Sequence, residues 1–146
     1  MILLRKIAVV GTAAAVLACH DSAGPPGLPA GYMLTTINGR ALPTSLAQFP
    51  ESPVVNWGSL QLDAAGAAVI TENRLTMIAP GNVTYTTNYT YTIRDGRIVF
   101  HFDCPPTAIC SSPPVGIFSG SHLFLTYEGA DGDLLYDYEL APVVES

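Results

Sequence analysis

Lysine is almost missing from this 146-residue chain, which has six basic residues against twelve acids and a formal charge of −6 at pH 7. The only lysine is Lys6. So few cations exclude nucleic acid and anionic lipid headgroups as partners, since both are held by basic patches. Histidine is scarce too: His20, His101 and His122 are the three. An activated nucleophile needs a neighbouring base. No Gly-rich phosphate loop, His-Glu-x-x-His or nucleophile elbow accompanies these histidines. The chain therefore reads as a non-enzyme with no cofactor and no metal. Helical periodicity is also lacking, with one turn near residues 44–48 as the sole candidate.

What is present begins at the N-terminus. Arg5 and Lys6 precede an apolar run over residues 7–17, too short to span a bilayer and of secretory-signal length. Val16, Leu17, Ala18 and Cys19 follow, with an aliphatic residue three before the cysteine and a small one directly before it. This stretch resembles the lipobox of bacterial lipoproteins, in which the cysteine is acylated and becomes the first mature residue. The resemblance implies that residues 1–18 are a signal peptide and Cys19 the lipidation site. The membrane would then be a partner through that lipid, with the domain in the periplasm or at the cell surface. Each buried methylene of an acyl chain contributes about 0.8 kcal/mol, so several chains anchor firmly where one does not. An ordinary secreted protein with a cysteine near its cut site is the alternative. Without residues 1–18 the chain keeps four arginines against twelve acids, a balance of −8.

Residues 19–30 are rich in Gly and Pro and read as a flexible tether. A single domain over residues 31–141 and a short tail, 142–146, complete the chain. Cys104 and Cys110 are the two remaining cysteines. An oxidising exterior favours a disulfide between them, with loop closure suggesting about 2 kcal/mol of stabilisation. A redox pair typically has two intervening residues, and a zinc site with His101 and His122 would have no recognised spacing. Asp131, Gly132 and Asp133 read as turn chemistry rather than a calcium loop.

From Tyr32 onward, short alternating runs are separated by turn residues, the pattern of antiparallel strands. In residues 83–94, Val83, Tyr85, Thr87, Tyr89, Tyr91 and Ile93 share one face, and mostly threonines the other. Asp95 and Gly96 supply a two-residue hairpin turn with positive φ at both positions. The strand that returns carries Ile98, Phe100 and Phe102 inward. Similar runs near residues 32–37, 59–63, 67–77, 115–119, 122–128 and 134–140 bring the count to about eight. Glu72 and Arg74 share a face with Ile70, which suggests a bulge in that run. Hairpins without long crossovers predict an all-β, up-and-down meander closed into a barrel, with a β-sandwich as the alternative.

Tyr85, Tyr89, Tyr91, Tyr127, Tyr136 and Tyr138 all fall on expected inward faces. An eight-stranded barrel is either filled by side chains or holds one small ligand. With Trp57, which ends a long loop over residues 38–57, Tyr85, Tyr89, Tyr91, Tyr136 and Tyr138 are the candidate ligand-binding residues. Loops of that length without regular structure are often lids, and this one is expected to fold over one barrel mouth.

Residues 32–43 (YMLTTINGRALP), 89–100 (YTYTIRDGRIVF) and 123–129 (LFLTYEG) resemble small bacterial lipoproteins with a lipocalin-like barrel. No lipocalin Gly-x-Trp stands on the first strand, so no signature residue carries over. The opening Ile-Asn-Gly also looks like the start of META-type domains, without that family's central pattern. The lipocalin-like resemblance implies an up-and-down barrel and a small hydrophobic or amphipathic ligand. The rival function is an envelope protein–protein interaction module with a filled core, its partner unknown.

Overall fold

The computed structural model describes residues 27–46, 52–76, 81–106, 108, 110–129 and 132–142. Ten strands run in chain order: β1 (Ala30–Ile37), β2 (Arg40–Ala41), β3 (Thr44–Ser45), β4 (Val54–Leu62), β5 (Ala67–Thr76), β6 (Gly81–Arg94), β7 (Arg97–His101), β8 (Val115–Ser119), β9 (His122–Tyr127) and β10 (Leu134–Leu140). Every pairing is antiparallel. The order β1-β10-β9-β8-β7-β6-β5-β4 closes through β1 against β4, giving an eight-stranded up-and-down barrel with β2 and β3 as additions. The sandwich alternative is thereby set aside. Closure leaves no continuous free edge, which is the physical advantage of a barrel for threonine-rich strands.

Alternation drives the closure. Tyr32, Leu60, Leu62, Ala68, Ile98, Phe100, Leu123, Leu125, Tyr136 and Tyr138 are all buried, one from nearly every second position of their strands. The turn from β6 to β7 is built as expected, with φ of 51° at Asp95 and 72° at Gly96. Asn38 and Gly39 repeat that geometry between β1 and β2. Asn38 adds a reciprocal pair: its N–H donates to the Leu135 carbonyl at 2.7 Å, and its Oδ1 accepts from the Leu135 N–H at 2.8 Å.

The two ends of the barrel differ. The tight turns β4–β5, β6–β7 and β8–β9 gather at one end, where the chain also enters at Ala30 and leaves after Leu140. The connections β1–β4, β5–β6, β7–β8 and β9–β10 lie at the other end, the mouth. The turn end is packed solid by Tyr32, Leu60, Leu62, Tyr91, Phe118 and Leu123.

Three expectations are corrected. Residues 44–45 form a short strand paired with β4, not a helical turn. Over the described part of the run 67–77 no bulge stands: β5 pairs with β6 in unbroken register from Ala67 to Thr76, and Glu72 is simply an inward residue, buried at 5% exposure. The long loop is shorter than read, since β4 begins at Val54. Because β10 occupies one edge of β1, β2 must sit on the edge facing β4; β3 likewise flanks β4 opposite β5. Both fill the seam where β1 and β4, paired only over Ala30 to Met33 and Ser59 to Leu62, diverge toward the mouth. The described part of the loop therefore patches the side wall, with Leu42 and Leu46 packed on the core. Residues 47–51 lie outside the described residues.

Candidate functional site

β6 overhangs its neighbour. Residues 81–89 pair with β5, but β7 pairs only from Thr90 onward. β7 in turn meets β8 over three residue pairs. The gap left beside the β6 overhang is crossed by the segment between β7 and β8. Cys104 and Cys110 join within it, with sulfurs 2.08 Å and Cα atoms 5.9 Å apart. This crossing carries Ser111 and Ser112 to the mouth.

A cavity of about 220 Å³ results, lined by Ile70, Glu72, Arg74, Tyr85, Thr87, Tyr89, Ser111, Ser112 and Tyr127. A shallower hollow of about 300 Å³ adjoins it, sharing Thr87, Tyr89 and Ser111 and adding Phe102 and Cys110. Tyr89 forms the ridge between them, edge-on to both Phe100 and Phe102 at 5.5 and 5.9 Å.

Charge sits at the cavity's inner wall. Glu72 and Arg74 point the same way because they are two apart on a strand. Arg74 donates from Nε to Glu72 Oε2 at 2.8 Å and from Nη2 to the same oxygen. Burial pulls the Arg74 pKa down, but the Glu72 carboxylate outweighs it and the net direction is up. The guanidinium carbon also stands 5.4 Å from the centroid of Tyr85, a cation–π contact.

A layer of tyrosine lies beneath. Tyr127 and Tyr136 are in ring contact at 4.7 Å, and Tyr136 stacks on Tyr138 at 6.4 Å. Burial first, and the nearby Glu72 charge with it, pushes the hydroxyls of Tyr89, Tyr127, Tyr136 and Tyr138 up, so they remain neutral donors. The buried Tyr138 hydroxyl interacts with Tyr127 without meeting hydrogen-bond geometry. Lower down, the Tyr32 hydroxyl is buried with no hydrogen-bond partner among the described residues, and burial pushes its pKa up to about 12.

The structure separates the six candidate ligand residues. Tyr85 and Tyr89 line the cavity. Tyr136 and Tyr138 form the layer beneath it. Tyr91 belongs to the packed floor, where its hydroxyl donates to the Asp63 carbonyl. Trp57 is 42% exposed on the outer wall, on the face it shares with Ser59 and Gln61, while the register shift before it turns Val55 inward. Cys19 lies outside the described residues. Glu72, Arg74, Thr87, Ser111 and Ser112 were not among the candidates. The signal for the first two was present, since both share a face with Ile70; for the two serines no periodicity exists to read.

His101 and His122 stand outside the barrel. His101 meets Thr92 at 3.3 Å, and His122 Nδ1 pairs with Asp137 Oδ1 at 2.8 Å.

The chain matches no protein-family model, no curated protein and no solved structure. The closed eight-stranded architecture is compatible with a lipocalin-like fold, and fold alone does not assign a function.

Proposed function

We propose that this chain is an exported lipoprotein, anchored through Cys19, whose barrel takes a small amphipathic molecule at its mouth. The observation that carries the binding is the cavity between Glu72, Arg74, Tyr85, Tyr89 and Tyr127. Aromatic faces offer a site for an apolar body, and the guanidinium and hydroxyls offer polar partners. Ligand sites combine these two in just this way. A purely apolar ligand fits less well, because it would desolvate Arg74 without replacing water's hydrogen bonds.

The lipobox supports the anchor, and the barrel's polarity agrees with it. The chain enters the barrel at Ala30, at the end opposite the mouth, so the anchor would lie away from the cavity. Native mass spectrometry of the gently purified full chain tests the reading. A small molecule released on mild activation, or one regained from a panel of small amphiphiles, supports it. A bare chain that takes up no member of the panel contradicts it.

One observation favours a second reading, an envelope interaction module. On the outer wall Val99 faces Val115, and Ile117 faces Phe124; Ile117 is 53% exposed. An apolar stripe of this kind often marks a protein contact. Ile117→Asp would then abolish crosslinking to the partner while leaving the mouth unchanged.

A further inference from the structure

Arg74 uses only one side of its guanidinium on Glu72. Nε and one Nη2 hydrogen are spent on Oε2. The end-on edge, made by Nη1 and the second Nη2 hydrogen, has no partner among the described residues. That edge is the planar fork that receives a carboxylate through two parallel hydrogen bonds. Arg74 is one of the residues that line the cavity.

We propose that the mouth recognises a small carboxylic acid with a compact apolar body, bound as its anion by the free edge of Arg74. This rests on the reading of the mouth as a ligand site and names the ligand's chemical class. Glu72 is the positioning residue: it fixes the guanidinium plane. The Arg74 side chain is 30% exposed against 6% for Glu72, so of the two lining charges the cation presents the larger surface to an incoming molecule. Ser111, Ser112 and Thr87 supply hydroxyl donors around the same space. Tyr85, Tyr89, Tyr127 and Ile70 flank the body. A cavity of about 220 Å³ has room for roughly seven waters at about 30 Å³ each. An acid the size of benzoate fits within it.

The test is titration of the full chain with benzoate, benzyl alcohol and benzylammonium, followed by calorimetry and by NMR shifts of the mouth residues. Benzoate should bind most tightly, by about tenfold or more over the alcohol, as expected for a charge-assisted bidentate pair. Arg74→Lys keeps a charge against Glu72 but loses the fork. It should lose about tenfold in benzoate affinity and leave the alcohol unaffected. Should that variant misfold, the double variant Glu72→Gln with Arg74→Met carries the same expectation, since it leaves no buried charge behind. Equal affinity for benzoate and benzyl alcohol, tighter binding of benzylammonium, or an undiminished benzoate affinity in the folded variant would each overturn the anion inference while leaving the mouth a ligand site. Silence of the mouth residues toward all three compounds would overturn both.

Discussion

Glu72 and Arg74 stand two residues apart on one strand, and their side chains meet inside the barrel wall, Nε to Oε2 at 2.8 Å. Two charges facing a barrel interior are unusual, since an unpaired charge there is strongly disfavoured. They survive as a mutually neutralising pair where packing opens into a cavity.

Breaking the pair from one side should therefore be worse than removing it. Arg74→Met leaves Glu72 with an uncompensated carboxylate and should cost about 2–4 kcal/mol, somewhat under the value for a fully buried pair. Adding Glu72→Leu should recover most of that loss. Urea denaturation of the two variants beside the wild type measures both values.

Alkali should unfold the protein steeply. Tyr32, Tyr89, Tyr91, Tyr127, Tyr136 and Tyr138 all have hydroxyls pushed up by burial. In the unfolded chain they ionise near the ordinary value of about 10. Above that pH the folded state binds more protons than the unfolded one, so stability falls as pH rises. Absorbance of tyrosinate should rise together with the loss of circular dichroism. Tyrosinate appearing in a still-folded protein, in the proportion these six residues represent, would contradict the buried placement.

His122 should titrate above its ordinary value. Its hydrogen bond to Asp137 raises the pKa, against a smaller opposing effect of burial. The pair contributes stability in full below the unfolded histidine pKa, and loses it as pH rises through the folded one. With the His122 side chain 38% exposed, solvent screening holds that contribution to a few tenths of a kcal/mol, roughly. NMR titration of the imidazole should show the shift reduced in Asp137→Asn.

Gly116 fits where no side chain does. A Cβ there would stand 2.5 Å from Ile98 Cγ2 and 2.6 Å from Leu125 Cδ2, both on residues with no exposed surface. Close-packed cores yield little, so Gly116→Ala should cost about 1–3 kcal/mol. Gly120→Ala, where a Cβ would meet nothing within 4 Å, is strained instead by its φ of 60°. Thermal melts of the two separate a packing penalty from a backbone one: only the first should ease when Ile98 is trimmed to Ala, which removes Cγ2.

Much of the barrel was legible because period-two alternation is a long, redundant signal. Tyr85 to Ile93 fix one face five times over, and Asp95 with Gly96 names its own turn. The floor followed from the same pattern. The mouth was less legible for physical reasons. Alternation assigns a face but not a depth along the strand, so Tyr91 in the packed floor and Tyr89 at the cavity read alike. Val55 turns inward through a register shift that no local pattern announces, while Trp57 stays on the outward face of Ser59 and Gln61. Glu72 and Arg74 looked like a fault in a strand because a charge facing inward makes sense only once its partner and the cavity are seen together. Ser111 and Ser112 reach the mouth on an irregular crossing, where the sequence has no period at all.

The most direct test of the polar mouth is an amide-shift map of the full chain during a benzoate titration. The account predicts saturable shifts at Ile70, Arg74, Thr87, Tyr89 and Ser111, with the turns at Gly66, Gly96 and Gly120 unmoved. Shifts confined to the outer stripe of Val99, Ile117 and Phe124, or none anywhere, would contradict it.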